Sequence, residues 1–498
     1  MIIDDQCQFV LFLMFFGWCL MSDKPILVLC YPNQRWVKDD VVTTWDLPPT
    51  TLCLLATMVE DIVDVKIVDA QKYNLSIGDF VEIVKGFSPK YFGVSVITSE
   101  YAETLDIAAN ELKNALPDVT VIAGGVHITT DPVTVMANTN IDYGCNGEGE
   151  YLLRELLLYL ENRGEIPAKG LLYRDDLNRL TIQDRALIDD LDQLPFPNYD
   201  YVNLDDYLKK DGRYGFNRAP ELPGIALTIS RGCPYPCTFC QVPFISGRKI
   251  RVPSPDKVVD HLEFFVRNFG LKSFVIQDDN LFAAKPKAKA ILNELIRRQL
   301  NLKWVAIALP IFAIDDEMLD LMKESGCVGA NVAIESGDER VLRDIIKKPI
   351  KNLPEIPAKI QNIKDRGMYV LANFVIGNPG ETWEEIRKTI WFAEHCNADY
   401  IKIFVMVPIK GTTIYDIALA TNAMDVENEE SYKIDWRYSK VKSNEWTGKD
   451  VSILRVYEWD RINFSPERIE RISELWGMSI EDISELRKKT RDNLVFNT

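Results

Sequence analysis

Short apolar runs alternate with amphipathic segments along most of this 498-residue chain, and the alternation constrains the fold more than any other feature. Continuous apolar runs are typical of strands buried on both faces of a parallel sheet, and the segments between them have helical periodicity. The pattern therefore predicts α/β units with helices on both faces of parallel sheets. The first predicted strands lie within residues 25–32, 63–70, 91–98 and 119–125, and the later ones within 225–230, 273–283, 303–311, 329–348, 369–386 and 399–416.

Length and charge narrow the class of protein. A chain of 498 residues is too long for one ordinary core, so we expect at least two domains. The 57 Lys and Arg against 74 Asp and Glu give a formal net charge of −17, which argues against nucleic acid as a partner. The three histidines lie far apart in sequence, which argues against a histidine-based metal centre.

The N-terminal segment is a separate problem. Residues 9–21 are apolar, but they are fewer than the roughly 20 residues that span a bilayer. The preceding residues are acidic, whereas those of a signal peptide are basic. We treat residues 1–23 as an apolar N-terminal extension. We expect translation to start after residue 20, so that residues 1–20 are absent from the native protein. Most cysteines are scattered singly in apolar runs, so we expect a cytoplasmic protein. Because the apolar run is too short to span a bilayer, we also expect no firm membrane association.

Three cysteines depart from that scattered pattern. Cys233, Cys237 and Cys240 follow a predicted strand with the spacing C-x3-C-x2-C, at the end of a β/α barrel strand where active sites are built. They are a coincidental cluster, a zinc site or an iron–sulfur site. Zinc requires four ligands, and the only nearby candidate for the fourth is His261, on a predicted helix. Three thiolates on a four-iron cluster leave one iron open to bind a substrate.

The cysteine spacing, with the aromatic Phe239 before the last cysteine, resembles the signature of the radical S-adenosylmethionine superfamily. The resemblance covers residues 222–430 and implies a partial (β/α)6 barrel, a 4Fe-4S cluster on the three cysteines and S-adenosylmethionine on the open iron. Asn373 and Val375 depart from the family's glycine-rich pattern. The alternative role of Asp278 and Asp279 is to cap the following helix. The residues that the resemblance implies for binding S-adenosylmethionine are Phe239, Asp278, Asp279, Glu335, Ser336, Gly377, Gly380 and Glu381.

Residues 24–165 resemble the cobalamin-binding domain of cobalamin-dependent radical S-adenosylmethionine enzymes, through "LPPTTLCLLA", "GVSVIT", "AGGVH" and "GEGE". The resemblance implies a Rossmann-like domain. It also implies cobalamin bound without a histidine ligand, because the D-x-H-x-x-G motif of other corrinoid domains is absent. A dinucleotide is poorly supported, since no G-x-G-x-x-G follows the first strand. His127 is alternatively a loop residue bonded to backbone, and Glu148 a helix-capping residue. The implied cobalamin-binding residues are Ser95, Thr98, Gly124, Gly125, His127, Gly147 and Glu148.

The remaining segments connect and complete these two parts. Residues 166–221 are expected to form a linker with a hairpin at 170–183, and residues 431–498 a small helical region. Ser465, followed by Pro466, is expected to cap one of these helices.

Together the resemblances imply an enzyme that cleaves S-adenosylmethionine to a 5′-deoxyadenosyl radical and uses cobalamin to methylate an unactivated carbon of a small molecule. They also imply an electron donor such as flavodoxin or ferredoxin. Two alternatives stay open. One is a cobalamin-dependent rearrangement or cyclisation without methyl transfer, and the other is a non-catalytic iron–sulfur binding protein.

Overall fold

The computed structural model describes residues 23–37, 47–208, 219–425 and 434–494. The expectation about residues 1–20 therefore concerns a segment outside the described residues. The chain divides into two compact units, residues 1–186 with 195–203 and residues 187–194 with 204–498. No helix in the described ranges is both long enough and apolar enough to cross a membrane.

The first unit is built on a seven-stranded sheet with the strand order β2-β1-β3-β4-β5-β6-β7. Strands β1 to β5 are parallel, and β6 and β7 add an antiparallel hairpin at the edge. The four predicted strands are confirmed, and the short β5 was not predicted. The strands are β1 Ile26–Tyr31, β2 Asp64–Asp69, β3 Tyr91–Val96, β4 Thr120–Gly125, β5 Tyr143–Cys145, β6 Leu171–Arg174 and β7 Leu180–Ile182.

Helices connect these parallel strands and bury their apolar faces against the sheet. Buried side chains such as Val28, Phe80, Phe92 and Leu105 form one continuous core there. Ser76 begins α2 by accepting a hydrogen bond from the backbone N–H of Asp79 at 3.1 Å. The helices of this unit are α1 Thr50–Val59, α2 Ile77–Gly86, α3 Glu103–Ala115, α4 Val126–Thr130, α5 Pro132–Met136 and α6 Gly149–Leu160.

The strand order creates a crevice. From β1 the chain moves outward to β2, and then returns to place β3 on the other side of β1. In doubly wound sheets such a reversal leaves an opening beyond the carboxyl ends of the two strands, and ligands bind there. We call this opening the switch-point crevice, and its lining includes Tyr31, Gln34, Asp69, Gln71, Ser95 and Thr98.

The second unit is built on six parallel strands that follow one another in chain order, with β8 and β13 at the two edges. This is the predicted partial barrel of six β/α repeats. Glu335 ends β11 with a left-handed backbone (φ 76°), beside a shift in the β11–β12 register. The strands are β8 Gly224–Leu227, β9 Ser273–Ile276, β10 Lys303–Leu309, β11 Cys327–Glu335, β12 Tyr369–Ile376 and β13 Tyr400–Val405.

Amphipathic helices follow most of these strands. After β11 the connection is a π-helix, Val341–Ile346, which ends at Lys347 with a left-handed backbone (φ 57°). The helices are α7 Asp205–Leu208, α8 Val242–Ile245, α9 Pro255–Phe269, α10 Lys285–Arg298, α11 Asp316–Glu324, α12 Ile356–Asp365, α13 Trp383–His395 and α14 Thr413–Ala420. Short 3-10 turns across both units are Gln34–Trp36, Ser99–Tyr101, Leu191–Gln193, Tyr199–Tyr201, Leu281–Ala283 and Leu353–Glu355.

The C-terminal region contains the predicted helices, α15 Gly448–Asn463, α16 Pro466–Trp476 and α17 Ile480–Leu494. They cover the open edge of β13. The Asn463 side chain accepts from the Ile401 N–H and donates to the Ile401 carbonyl, both at 2.8 Å, as a neighbouring strand would. Ser465 occupies the N-cap position of α16 as predicted, although its side chain makes no capping bond.

Candidate functional site

The cysteine loop, residues 231–241, begins just beyond the carboxyl end of β8, as the sequence predicts. Two consecutive acids after β9 hold its start. One Asp278 oxygen accepts from the Ile229 N–H, and the other accepts from the Ser230 N–H at 2.9 Å and its hydroxyl at 2.7 Å. The Asp279 carboxylate accepts from the Gly232 N–H at 2.8 Å. The loop therefore leaves the barrel in a direction that the neighbouring strand sets.

These bonds bear on the roles expected for the two acids. Burial raises the pKa of Asp278 to about 7, although its hydrogen-bond donors oppose the shift. Burial also raises the pKa of Asp279, against the opposing effect of the Gly232 N–H. The structure thus places both acids beside the cysteines, with both Asp278 oxygens bonded to the two residues that precede the loop. Asp278 is not the side-chain cap of the following turn, because the N-cap position there belongs to Asn280.

The return segment holds the loop from its other side. Arg231 and Arg251 exchange backbone hydrogen bonds of 3.0 and 2.9 Å, and the Cys233 N–H donates to the Gly247 carbonyl at 3.1 Å. Gly232 has φ 94°, and a Cβ there would lie under 3.0 Å from the Lys249 carbonyl oxygen, a distance that real Cβ atoms essentially never show. Only glycine fits this position without displacing the return segment.

The second half of the loop is attached to the end of the π-helix. The Thr238 N–H donates to the Ile346 carbonyl at 3.0 Å, and its hydroxyl donates to the Ile345 carbonyl at 2.8 Å. The Thr238 carbonyl in turn accepts from the Ile414 N–H at 2.9 Å, at the beginning of α14. Phe239 lies half-buried between Thr238 and Cys240.

The three cysteine residues of the loop are half-buried, whereas Cys30, Cys53, Cys145, Cys327 and Cys396 are buried. Burial raises the pKa of Cys237 to about 11 and that of Cys240 to about 12. The Asn280 side-chain N–H reaches the Cys233 sulfur at 3.5 Å. The structure therefore brings together three thiols and one amide donor at the carboxyl ends of β8 and β9.

A charged pair that the sequence analysis missed lies beside these thiols. Lys348 Nζ contacts Glu335 Oε1 at 3.0 Å, with side-chain exposures of 11% and 8%. Burial opposes the Lys348 charge, but Glu335 and the thiols of Cys237 and Cys240 outweigh it, so its pKa is raised. Glu335, expected to bind S-adenosylmethionine, thus lies at the site but has a lysine partner.

The other predicted ligands on this barrel occupy positions of different kinds. The Ser336 hydroxyl lies 3.0 Å from that of Thr389 on α13 and accepts from the Asp338 N–H. Glu381 is buried, and one of its oxygens accepts from the backbone and side-chain N–H groups of Asn378 at 2.8 and 2.9 Å. Burial raises the Glu381 pKa to about 7. In this structure Ser336 and Glu381 hold the turns around the site together.

Two glycines accompany Glu381. Gly377 and Gly380 both have φ 79°, and a Cβ on Gly380 would meet no atom within 4 Å, whereas one on Gly377 would meet Val451. The open space over Gly380 suits the close approach of a ligand. The role of Gly377 in binding stays a prediction.

The donor set favours an iron–sulfur cluster over zinc. A zinc ion needs its ligands to converge on one point. In the described ranges, no three His, Cys, Asp or Glu side chains converge closely enough to hold one ion. Each thiolate of a four-iron cluster binds a different iron, so its cysteines need no common point. Three thiols on one anchored loop fit that arrangement.

In the first unit, the predicted cobalamin ligands fall into two groups. Ser95 and Thr98 line the switch-point crevice, and the Thr98 hydroxyl also accepts from the Glu100 N–H at 3.4 Å. Gly124, the second-last residue of β4, has open space beside it, since the nearest atom to a Cβ there lies 4.0 Å away. That space would let a large ligand approach the backbone, so this part of the unit fits cobalamin.

The other members of the set have roles within the chain itself. Gly125 (φ 94°) and Gly147 (φ 103°) are required by the sheet, because a Cβ would collide with the carbonyl of Val96 or of Ala186. His127 lies in α4, where its carbonyl accepts from the Asp131 N–H at 2.9 Å. Glu148 occupies the N-cap position of α6, but its side chain makes no capping bond, so the capping role is not seen.

Comparison with known proteins agrees with this division. The radical SAM superfamily model matches residues 227–393, and the B12 binding domain model matches residues 41–157. An uncharacterized methyltransferase of Pyrococcus horikoshii is 32% identical over 436 residues, which are 87% of this chain and 91% of that protein. The cytidylyl-2-hydroxyethylphosphonate methyltransferase of Streptomyces wedmorensis is 27% identical over 416 residues, covering 77% of this chain and 76% of that one.

A solved structure adds evidence for the fold alone. The cobalamin-dependent S-adenosylmethionine radical enzyme OxsB is similar with a TM-score of 0.70 and 15% identity, over 94% of this chain and 72% of that chain. The fold and the cysteine loop define the class as a radical S-adenosylmethionine enzyme. Within that class, the chain belongs to the cobalamin-dependent methyltransferase family. Its cofactors are a 4Fe-4S cluster, S-adenosylmethionine and cobalamin.

Proposed function

We propose that this protein methylates an unactivated carbon of a small-molecule substrate. The observation that carries the proposal is the anchored C-x3-C-x2-C loop at the carboxyl end of the first barrel strand, in a chain that also contains a B12-binding domain. When bound, the cluster supplies an electron that splits S-adenosylmethionine into methionine and a hydrogen-abstracting radical, and cobalamin carries the methyl group.

The contribution of the chain is to hold and orient. Cys233, Cys237 and Cys240 would bind three irons, because they are the three half-buried cysteines on this loop. Asp278 and Asp279 fix where the loop leaves β8, so the position of the thiols is set before any cofactor arrives. The remaining predicted contacts to S-adenosylmethionine are part of this proposal, and they come from Phe239, Glu335, Ser336, Gly377, Gly380 and Glu381.

An electron source is needed from outside, because the reaction consumes electrons. We propose a small electron-transfer protein such as flavodoxin or ferredoxin for this role. The chain carries a net charge of −17, so an acidic donor would meet repulsion unless it docks on a local basic surface. Reduction rates with a panel of donors at low and high salt would identify the donor.

The experiment that tests the proposal uses the anaerobically reconstituted full chain with hydroxocobalamin, dithionite and methyl-labelled S-adenosylmethionine. We expect release of both 5′-deoxyadenosine and S-adenosylhomocysteine. The Cys237→Ala variant should lose the 5′-deoxyadenosine, while the matched control Cys396→Ala, at a buried cysteine of the same unit, should retain it.

Two outcomes would count against the proposal. If Cys237→Ala forms 5′-deoxyadenosine as fast as the wild type, the cysteine loop does not carry the cluster. If the wild type forms 5′-deoxyadenosine but no S-adenosylhomocysteine, and no label enters cobalamin, the rearrangement or cyclisation alternative replaces methylation.

A further inference from the structure

Two glutamine side chains in the switch-point crevice carry buried polar atoms without a partner. Gln34 follows β1 and Gln71 follows β2, and they are only 4% and 5% exposed. Both line the crevice. Within the described ranges, the side-chain oxygen of Gln34 and the side-chain nitrogen of Gln71 make no hydrogen bond. Two residues that line the crevice therefore contain one buried acceptor and one buried donor without a partner among the described residues.

Hydrogen bonds hold the Gln71 amide and the turn that carries Gln34. The Gln34 N–H donates to Gln71 Oε1 at 2.8 Å, which fixes the Gln71 amide and leaves its nitrogen as the free end. Asn33 Nδ2 and Trp36 Nε1 both donate to the Leu75 carbonyl, at 3.0 and 2.9 Å, and hold the turn that carries Gln34. The Gln71 amide and the Gln34 backbone are thus held in place by bonds that do not involve the two unsatisfied atoms.

Buried polar atoms without partners are rare in native proteins, because they lose their hydrogen bonds to water and gain nothing in return. At the ligand-binding end of an α/β sheet, such atoms are expected to meet a bound molecule. A complementary ligand needs an N–H donor for the Gln34 oxygen and an oxygen acceptor for the Gln71 nitrogen. A primary carboxamide provides both groups on one carbon.

We propose that Gln34 and Gln71 form a recognition pair for a primary carboxamide on the rim of cobalamin, whose corrin ring carries several such groups. This inference rests on the proposed function, from which cobalamin comes as the ligand. It assigns two binding residues that the motif comparison did not reach. No histidine lines the crevice in the part of the chain that the structure describes, so the pair orients the ring through its rim.

The test measures cofactor affinity rather than activity, with hydroxocobalamin titrated into the cofactor-free full chain and followed by its visible spectrum. Gln34→Met should weaken binding by about tenfold, the usual effect of losing one buried hydrogen bond. The same variant should unfold at a urea concentration no lower than the wild type, because it removes an unsatisfied atom. Gln71→Glu keeps the acceptor for the Gln34 N–H but loses the donor, and should also bind more weakly. Gln193→Met makes the same exchange at an exposed position and should bind normally.

A second measurement needs no variant. Singly hydrolysed cobalamins, each with one carboxamide converted to a carboxylate, are titrated into the wild type. We expect one of them to bind about tenfold more weakly than hydroxocobalamin, and Gln34→Met to lose this discrimination.

The outcomes separate the two levels of inference. If the wild type does not bind hydroxocobalamin, the proposed function fails and this assignment fails with it. If it binds, but both variants bind equally well and no hydrolysed derivative is discriminated against, only the glutamine pair is refuted. Flavin mononucleotide is the competing ligand, because flavodoxin-like sheets with this strand order bind it at the same place. Tight flavin binding that Gln34→Met weakens would overturn the assignment to cobalamin.

Discussion

Replacing Gly232 by alanine tests whether the conformation of the cysteine loop controls cluster binding. The added Cβ would lie under 3.0 Å from the Lys249 carbonyl oxygen and 3.1 Å from that of Gly247. Those carbonyls belong to the return segment, which is hydrogen-bonded to the loop at Arg231 and Cys233. The clash can be relieved only by separating the loop from this segment.

The cost has two parts. A non-glycine residue at φ 94° costs about 1 to 3 kcal/mol, and each loop hydrogen bond lost costs about 1 kcal/mol. With the bonds from Gly232 to Asp279 and from Cys233 to Gly247 broken, the total is about 3 to 5 kcal/mol. That is a large share of the roughly 5 to 15 kcal/mol that stabilises a domain. We expect the variant to fold with a displaced loop and to retain little iron.

The assay is iron and sulfide content per chain after anaerobic reconstitution, with urea unfolding of the cofactor-free protein alongside. Gly270→Ala is the matched control, because Gly270 also has a left-handed backbone (φ 63°) but a Cβ there meets nothing within 4 Å. It should lose about 1 kcal/mol and bind iron normally. If Gly232→Ala binds as much iron as Gly270→Ala, the loop conformation does not control the cluster.

Further predictions concern the charges and the glycines. Lys348→Met should lower the free energy of unfolding in urea by about 3 kcal/mol, because it leaves Glu335 buried without its partner, and adding Glu335→Gln should restore most of the loss. The Glu381 pKa is raised from 4.5 to about 7, so its contribution to stability is complete below pH 4.5 and is lost as the pH rises through 7. As the pH rises from 5 to 8, the free energy of unfolding of Glu381→Gln should therefore increase by about 2 to 3 kcal/mol relative to that of the wild type. If urea unfolding gives the same difference between variant and wild type at both pH values, this prediction is wrong. Gly124→Ala should fold normally, whereas Gly125→Ala should lower the melting temperature, because only Gly125 has a left-handed backbone in contact with the Val96 carbonyl. A larger loss of melting temperature in Gly124→Ala would contradict this.

The sequence predicted well those features that depend on periodicity and spacing. Apolar runs placed the six barrel strands, and the cysteine spacing placed Cys233, Cys237 and Cys240 at the end of the first of them. Both follow from local patterns, because a buried strand and its following loop are contiguous in the chain. The short β5 was missed because three residues carry too little pattern.

The sequence did not predict which groups satisfy one another. Lys348 reaches Glu335 because a π-helix and a left-handed Lys347 turn the chain back toward the cysteines, and no residue pattern indicates that path. From the sequence, an aspartate at a strand end such as Asp278 can bind either a ligand or a backbone N–H. Only the structure shows that its donors include the N–H and the hydroxyl of Ser230. In the same way, Gly124 and Gly125 are equivalent in sequence, but only Gly125 is required by the backbone.

The bonds from Asp278, Asp279 and Thr238 to the protein frame have a consequence for maintenance of the enzyme. Ordering a free loop costs about 1 to 2 kcal/mol per residue, and here that cost is met when the chain folds. A protein that loses its cluster to oxygen should therefore keep its three thiols in position. We expect such damaged molecules to be repaired in place by iron and sulfide donors, without unfolding and renewed synthesis.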